Sequence, residues 1–352
     1  QNGTVGFGAT FFGNCCRRSY DLDYNTNAPF ASVGVEFGDF NVDGSLRYDF
    51  GSAEGTVTGA DLGGGRVGVT SFDFDNDGNI DPAEVQTSVL PLTNPAPVDY
   101  DYDYVSYSLG VNYRIQPDLS VFARYSKGGR ANADRLLFNA SNVSPVDGSL
   151  TDNSIAVDFV KQAELGVKYR SGGLAVYATG FYAETEEQNF EATTQRVFNR
   201  EYEAKGLEVE GSYAFGNGFS LSASGTYTDS EIKRDSISPD NEGNTPRRQA
   251  DFIYQATAKY DAEMFGLGAN IVGTTDSFAQ DSNQLVLPGF AQVNAFVNVR
   301  PMENLEVALH ANNLFNVSGF TEAEEGSIPG NNIVRARSIN GRTVSASVRV
   351  SF

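Results

Sequence analysis

The sequence lacks several features that define common protein classes. It contains no tryptophan and one histidine, and no apolar run approaches the roughly 18 to 20 residues of a membrane-spanning helix. Its two cysteines, Cys15 and Cys16, are adjacent, so they cannot join distant parts of the chain. A vicinal disulfide, a bond to a segment outside this sequence and two free thiols all stay open for them. A disulfide-stapled fold and a helical membrane protein are therefore excluded.

Basic residues are also scarce. The chain has 25 Lys and Arg against 45 Asp and Glu, a formal net charge of −20. A nucleic-acid-binding protein needs a basic surface that displaces counterions from phosphates. The balance therefore excludes nucleic acid as a partner, although a local basic pocket for a small anion stays open.

What the chain does contain is a repeated alternation of apolar and polar residues. It is clear in "FSLSASGTY" (219–227), "AQVNAFVNV" (291–299), "LEVALHA" (305–311) and "TVSASVRVSF" (343–352). Each segment places apolar side chains on one face of a strand and polar side chains on the other. A helix would need apolar residues three and four positions apart, and that spacing is missing. The pattern indicates an all-β protein.

The alternating segments predict about fourteen strands joined by connections that are alternately short and long. The predicted strands span residues 3–13, 28–38, 41–50, 103–115, 119–127, 160–170, 174–186, 197–215, 219–231, 249–260, 265–274, 289–300, 305–313 and 341–352. The predicted long connections are residues 14–27, 51–102, 128–159, 187–196, 232–248, 275–288 and 314–340. Short turns at one end and long loops at the other are typical of outer-membrane barrels.

The polar face of the strands is too hydrophilic for a packed protein core. It includes the pairs Glu208 with Glu210 and Lys168 with Arg170. Such side chains suit a water-filled lumen, whereas the apolar face suits lipid. We therefore predict that residues 1–352 form a transmembrane antiparallel β-barrel with short periplasmic turns and long extracellular loops. A soluble β-sandwich is the alternative.

Several stretches, in this order, resemble the TonB-dependent outer-membrane receptors. They are "SVFARYSKGGRANADR" (120–135), "KQAELGVKYR" (161–170), "YEAKGLEVEGSY" (202–213), "TPRRQADF" (245–252), "ANNLFN" (311–316) and "GRTVSASVRVSF" (341–352). The final Phe352 is also similar to the C-terminal signature of bacterial outer-membrane proteins. Together these stretches cover most of residues 28–352.

The resemblance implies a function and a location. It implies a receptor in the bacterial outer membrane, surrounded by membrane lipid and lipopolysaccharide, that imports a scarce small solute and is not an enzyme. The solute would be a siderophore, a vitamin or an oligosaccharide, and the energy would come from TonB through a plug domain. The family barrel has 22 strands. Because neither a plug domain nor a TonB box is visible here, we expect the C-terminal part of such a barrel. A complete passive porin and a structural or adhesive surface barrel stay open.

Few residues indicate catalysis. The single His310 falls on the polar face of a predicted strand, where a lumen-facing structural role is expected. "GGGRVG" (63–68) fits a dinucleotide-binding pattern but opens no helix, so a flexible turn is expected. The carboxylates of Glu208 and Glu210 share a strand face, as lumen charges would. Nothing in the chain predicts an enzyme.

Two stretches of the predicted outer loops are candidate contact surfaces. Lys127, Arg130 and Arg135 form a basic cluster that could meet an anionic ligand or remain solvated. The tyrosines of "DYDYDYVSY" (99–107) could stack on a sugar or aromatic substrate, or form an interfacial girdle. Both interpretations stay open in each case.

The stretch "DFDNDGNIDPAE" (73–84), inside the predicted loop 51–102, matches a twelve-residue calcium loop. Such a loop supplies oxygen ligands from positions 1, 3, 5, 7, 9 and 12 and has glycine at position 6. Gly78 and Ile80 occupy the expected turn and apolar positions. The predicted ligands of a structural Ca²⁺ ion are Asp73, Asp75, Asp77, Asn79, Asp81 and Glu84.

Calcium binding by this loop is directly testable. We expect the protein to bind Ca²⁺ with a Kd of about 10⁻⁴ to 10⁻³ M, as extracellular calcium modules do. The double substitution Asp73→Ala and Glu84→Ala removes the first and last ligands and should abolish that binding in calorimetry. Equal calcium uptake by the double variant would show that the match is accidental.

Overall fold

The computed structural model describes residues 2–4, 17–59, 68–70, 87–89, 96–132, 142–144, 146–191, 196–236, 238–323, 328 and 330–351. These ranges are almost entirely β-structure, with two short 3₁₀ turns at Asn153–Ala156 and Pro239–Asn241. They contain no helix that is long and apolar enough to cross a membrane. The strands are β1 Asn2–Thr4, β2 Arg17–Asn27, β3 Phe30–Phe37, β4 Phe40–Gly59, β5 Gly68–Thr70, β6 Thr87–Val89, β7 Ala96–Gln116, β8 Leu119–Ala131, β9 Val157–Ser171, β10 Leu174–Glu191, β11 Arg196–Ala214, β12 Phe219–Asp235, β13 Phe252–Asp261, β14 Phe265–Thr274, β15 Ser277–Phe278, β16 Val286–Leu287, β17 Phe290–Met302, β18 Leu305–Asn312, β19 Phe320–Ala323, β20 Ala336–Ser338 and β21 Thr343–Val350.

One antiparallel sheet contains nearly all the long strands. Its order is β1-β2-β4-β7-β8-β9-β10-β11-β12-β13-β14-β17-β18-β21, and β3 also pairs with β4. Each long strand thus pairs with its sequence neighbours, as in an up-and-down barrel wall. The fourteen strands on this path confirm the predicted all-β architecture and strand number.

Strands β2 and β3 are two parts of one long strand. Both pair with β4, through Asn27 opposite Phe50 and Phe30 opposite Arg47. Pro29 separates them because proline has no N–H to donate to the ladder. Its carbonyl still accepts a hydrogen bond from the N–H of Tyr48 at 3.0 Å.

The short connections lie where the alternation predicted them, between β3 and β4, β7 and β8, β9 and β10, β11 and β12, β13 and β14, and β17 and β18. Two of these turns need glycine. Gly38 has φ +57° and Gly172 has φ +56°, in the left-handed region that glycine adopts at little cost. The long connections all lie at the opposite end of the sheet.

The two faces of the sheet differ in chemistry. Leu165 on β9 is 68% exposed and Leu309 on β18 is 50% exposed, although both are large apolar side chains. They share their face with the other exposed aliphatic residues of the long strands, whereas the opposite face carries Ser, Thr, Asn, Glu, Lys and Arg. We call the apolar face outward and the polar face inward. Exposed apolar side chains in such a continuous band match a wall that faces lipid.

Several strands are longer than predicted. Residues 14–27 were expected to be a loop, but residues 17–27 form β2 and pair with β4 from Arg18 opposite Gly59 onwards. The predicted loop 51–102 is likewise shorter, because β4 ends at Gly59 and β7 begins at Ala96. These extensions still alternate, but their larger side chains, among them Leu22, Tyr100 and Tyr102, pack under the loop after β8 instead of joining the exposed apolar band.

The connection between β4 and β7 contains the candidate calcium loop. Strands β5 and β6 pair antiparallel there, with Thr70 opposite Thr87. This ladder brings together the two ends of the span 71–86. The candidate ligands at 73–84 lie outside the described residues, so their arrangement stays a prediction.

The loop after β8 packs on the outer halves of β4 and β7. It is closed by an isolated bridge between Val143 and Leu150 and by the 3₁₀ turn, where Asp152 accepts a hydrogen bond from the N–H of Ser154. Hydrogen bonds from Ser154 also lower the pKa of Asp152. The buried residues of this cluster are Ala53, Val57, Val98, Tyr100, Tyr102, Val143, Leu150, Ile155, Ala156 and Val157. The loop therefore has a small apolar core of its own.

A buried ion-pair network joins the end of β12 and two further loops at the long-loop end of the sheet. The guanidinium of Arg200 binds Asp235 at 2.8 Å and Asp281 at 2.7 Å. Asp281 also accepts the backbone N–H of Arg247, and Asp235 accepts that of Ser238. The carboxylates of Asp235 and Asp281 are almost inaccessible to solvent. One arginine thus holds the end of β12 and the loops after β12 and β14 together.

The outward face can be tested with a charge. The substitution Leu165→Arg places a cation in the middle of the apolar band, and it should cost about 2–4 kcal/mol of unfolding free energy if this site lies near the bilayer midplane. Urea unfolding in lipid vesicles measures the change. Ser222→Arg is the matched control, because Ser222 lies on the inward face beside Glu210 and should tolerate the same side chain. Equal destabilisation by both variants would contradict the assignment of faces.

The ion-pair network can be tested by removing its centre. Arg200→Ala leaves two buried carboxylates without this partner, and loss of one member of a buried pair typically costs about 3–5 kcal/mol. We expect rapid proteolytic cleavage within 236–251 and 275–289. Arg234→Ala is the control, because the exposed pair of Arg234 with Glu201 should contribute only about 0–1 kcal/mol. Unchanged protease resistance of the Arg200 variant would show that the loops are held by other contacts.

Candidate functional site

The candidate site is the inward wall of the sheet. The strand alternation fixes which side chains reach it, and the register sets their neighbours. Arg124 on β8 donates to Asp43 on β4 at 2.9 Å and to Ser108 on β7 at 3.1 Å. A carboxylate, a hydroxyl and a guanidinium from three strands are thereby fixed on one surface.

This group borders a hollow of about 430 Å³ in the wall. The ammonium of Lys168 lies 4.5 Å from the ring centre of Phe122, within cation–π distance. Phe122 can lie flat against β9 because residue 166 is glycine, where a Cβ would approach the ring to 2.3 Å. The polar side chains that line the hollow are Asn41, Asp43, Asn112, Ser120, Arg124 and Lys168.

A second hollow, of about 270 Å³, lies on β10 to β13. It differs from the first in having no Lys or Arg in its lining, so its carboxylate, Glu210, is surrounded by neutral hydroxyl and amide groups. Glu210 was predicted to face the lumen, and its neighbours confirm an inward position. The lining side chains include Tyr177, Glu210, Ser212, Ser222, Ser224, Gln255 and Thr257.

Side-chain amides continue the polar surface towards β17. Asn294 donates to Asn270 at 3.2 Å, and Asn270 donates to Thr257 at 3.1 Å. Gln292 in turn donates to Asn294 at 2.9 Å. Asn270 and Asn294 each donate one bond and accept another, which fixes the orientation of their two amides.

The single histidine of the sequence also lies on the inward wall. His310 lies opposite Ser345 in the register, and its ring centre is 6.3 Å from that of Phe296. This is the polar face on which the alternation placed it, and a structural role stays a prediction. Donors and acceptors spread over both hollows can instead hold a polar solute by several hydrogen bonds.

The structure gives Lys127 and Arg130 of the predicted basic cluster different partners. Arg130 pairs with Asp158 at 2.9 Å, and Lys127 lies 4.1 Å from the ring centre of Phe159. Arg135 and the span 63–67 of the glycine-rich turn lie outside the described residues. The predicted basic cluster is therefore not described as one surface.

Two tyrosines of the segment 99–107 have neither of the roles that were considered for them. Tyr100 and Tyr102 are buried in the apolar core under the loop after β8. The hydroxyl of Tyr102 donates to the carbonyl of Asn25 at 3.0 Å, and its ring stacks on Tyr24. They support a loop rather than bind a sugar or line the membrane interface.

Asp43, Arg124 and Tyr177 were not identified from the sequence. Asp43 and Arg124 are 81 residues apart, and only the register of three strands brings them together. In the sequence they could be recognised only as polar positions of the alternating pattern. Many other residues share that feature, so it does not single them out.

Comparison with known proteins places this wall in a family. The model described as "TonB dependent receptor-like, beta-barrel" matches residues 1–314. The chain is 29% identical over 220 residues to the ferrichrome outer membrane transporter/phage receptor of Escherichia coli K12, covering 58% of this chain and 27% of that protein. It is 25% identical over 254 residues to the pesticin receptor of Yersinia enterocolitica, covering 69% of this chain and 35% of the relative. The chain thus spans much less than half of these relatives.

Solved structures show the same fold. The ferric yersiniabactin uptake receptor of Yersinia pestis superposes with a TM-score of 0.72 and 18% identity over 94% of this chain and 46% of that one. A siderophore receptor of Acinetobacter baumannii gives a TM-score of 0.66 and 17% identity over 94% of this chain and 44% of its own. The chain belongs to the TonB-dependent receptor family and forms an antiparallel β-barrel wall of the outer membrane.

Proposed function

We propose that the protein imports a scarce solute across the outer membrane and that this solute is of the siderophore class. The observation that carries the proposal is the family match over residues 1–314. Relatives named for ferrichrome transport and for ferric yersiniabactin uptake support the substrate class. Vitamin and oligosaccharide import are the other outcomes of the test.

The inward wall supports a polar solute of moderate size. Its two hollows differ in charge, one with Lys168 and the Arg124–Asp43 pair and the other with Glu210 and neutral hydroxyls. A metal chelate presents carbonyl, hydroxyl and carboxylate oxygens, which such a surface can bind through several weak contacts. Import against a gradient needs energy, which the proposal assigns to TonB acting through a plug domain.

A passive porin is the main alternative, because a polar wall also suits free diffusion. A surface barrel that binds partners through its loops is the other, and the name of the Escherichia coli relative includes a phage receptor. Neither alternative predicts that uptake depends on TonB.

We also propose that residues 73–84 hold a structural Ca²⁺ ion that shapes the loop between β4 and β7. The donor set named above and Gly78 support this, and so does the β5–β6 ladder that draws the ends of the span together. The ion would order an acidic loop at the solute entrance, since five carboxylates in twelve residues otherwise repel one another.

Uptake of radioactive ferric siderophores by cells that produce the intact protein tests the main proposal. We expect saturable uptake that is lost when TonB is deleted or when the inner-membrane proton gradient is collapsed. Equal uptake with and without TonB would favour the porin. TonB-dependent uptake of cobalamin or an oligosaccharide instead would keep the receptor and change the substrate.

The wall itself can be tested by Arg124→Ala in the same assay. The change removes the guanidinium that joins Asp43 and Ser108. We expect a higher half-saturation concentration with little change in maximal rate, because the lost contact is a binding contact. Leu109→Ala, on the outward face of β7, is the control and should transport normally. Unchanged half-saturation in the Arg124 variant would exclude this hollow from the solute path.

A further inference from the structure

A continuous row of polar side chains crosses the inward wall from β11 to β17. Each member lies directly opposite the next in the strand register, so the row follows the hydrogen-bonding direction of the sheet. Side chains in such directly opposite positions are close enough to interact. We call this set the polar row, and its members are Ser212, Ser222, Thr257, Asn270 and Asn294.

At the β17 end, a backbone group fixes the direction of hydrogen bonding in the row. The backbone N–H of Asn313 can only donate, and it donates to Oδ1 of Asn294 at 3.0 Å. Nε2 of Gln292 donates to the same oxygen at 2.9 Å. Because Oδ1 accepts both bonds, it is Nδ2 of Asn294 that donates to Asn270, at 3.2 Å. The amide of Asn294 therefore has a single orientation.

A second backbone group fixes the next amide in the same direction. Nδ2 of Asn270 donates to the carbonyl of Ala256 at 3.3 Å and to Oγ1 of Thr257 at 3.1 Å. A carbonyl can only accept, so the nitrogen and the oxygen of this amide cannot exchange places. Both hydrogens of Nδ2 are then engaged, and Oδ1 accepts the bond from Asn294. The bonds thus run in one direction, from β17 to the hydroxyl of Thr257.

The hydroxyl of Thr257 is the end of this directed chain. Its oxygen accepts from Asn270, and its own hydrogen has no acceptor among the described residues. The amide hydrogen of Asn270 repels the hydroxyl hydrogen, so that hydrogen faces away from β14. Thr257 lines the second hollow on that side, opposite Ser222. Accepting one bond also polarises the hydroxyl and makes it a stronger donor.

The charge of the second hollow limits which group can accept this hydrogen. Glu210 is a carboxylate in the same lining, and the lining contains no Lys or Arg. A negatively charged group of a solute would be repelled by Glu210 with no cation in the lining to offset the repulsion. A neutral carbonyl oxygen has the lone pairs that the hydroxyl needs and carries no net charge. The hollow therefore matches a neutral acceptor.

We propose that the polar row makes the second hollow specific for a solute with neutral carbonyl oxygens, as in an amide. Thr257 donates to the carbonyl oxygen, whereas Asn270 and Asn294 are positioning residues that direct this hydroxyl towards the solute. The inference rests on the proposed function, because it concerns the solute that is imported.

The experiment measures uptake by cells that produce the intact protein. The probes are radioactive ferrichrome and ferric yersiniabactin, the chelates named for two of the similar proteins. Asn270→Asp keeps the shape of the side chain but replaces the Nδ2 donor by an oxygen. The hydroxyl of Thr257 should then donate to the new carboxylate and turn away from the hollow. We expect the half-saturation concentration to rise about threefold to tenfold at an unchanged maximal rate, the effect of one lost hydrogen bond.

The threonine itself provides a second set of variants. Thr257→Val removes the hydroxyl with little change in shape and should raise the half-saturation concentration to the same extent. Thr257→Ser keeps the hydroxyl and should restore uptake to that of the unmodified protein. The double variant of Asn270→Asp with Thr257→Val should be no worse than Thr257→Val alone, because Asn270 acts only through this hydroxyl.

The chain offers a matched control for the asparagine. Nδ2 of Asn312 also donates to a threonine, Thr343, which lies opposite it on β21 at 3.4 Å. This pair is outside both hollows. Asn312→Asp adds the same charge and removes the same kind of bond, and it should leave uptake unchanged.

The possible results separate this inference from the proposed function. Saturable uptake with an unchanged half-saturation concentration in Thr257→Val would overturn the role of the polar row and leave import intact. An equal rise in Asn312→Asp would assign the effect to added charge and would also overturn it. A lower maximal rate alone, in Asn270→Asp and Thr257→Val, would assign the row to the stability of the barrel. Absence of TonB-dependent uptake of both chelates by the unmodified protein would instead overturn the proposed solute class, and the specificity of the hollow with it.

Discussion

The backbone hydrogen-bond ladder is the constraint on which the rest of the structure depends. In lipid no water can satisfy an exposed N–H or C=O group, so each strand must pair along its length with a neighbour. The described sheet meets this demand by pairing each long strand with the next in sequence. Because strand pairing satisfies the hydrogen bonds of the backbone, the side chains need only alternate between lipid on one face and the polar interior on the other. The inward wall and the outward band both follow from that division.

The ladder also explains why the strands continue beyond the apolar band. Once formed, a hairpin can extend as long as its own groups pair, and β10 and β11 do so up to Glu191 opposite Arg196. Beyond the lipid-facing band, the outward side chains no longer need to be apolar. Side chains at this end of the sheet make other contacts. Asp235 and Asp281 join loops through Arg200, and Tyr100 and Tyr102 form the core under another loop. The long-loop end is thus a second layer of structure with its own packing.

The division of each strand into a lipid-facing side and an inward side decides which features could be predicted from the sequence. The strand predicted at 265–274 agrees with β14 because one side faces lipid and the other faces the lumen. Strand β2 was predicted as a loop although Tyr20, Leu22 and Tyr24 alternate with polar residues, because this alternation is short and flanked by charged and polar residues. From the sequence, the inward site could be predicted only as the polar face of the strands and not as contacts between particular residues. The contact between Asp43 and Arg124 depends on register across β4, β7 and β8, and alternation carries no information about register between strands.

Register likewise gives the outward face a property that no single segment possesses. Glu184, Glu203 and Glu231 come from three strands, and each would be an ordinary solvated acid alone. Aligned, they create a local demand for cations, which Lys161 on the neighbouring strand β9 and Lys233 on β12 itself meet. Such an arrangement needs polar surroundings, because an apolar medium would penalise every ion pair in it. The change from Leu207 to Lys205 on the outward face of β11 therefore marks the end of the apolar band on the side of the long loops.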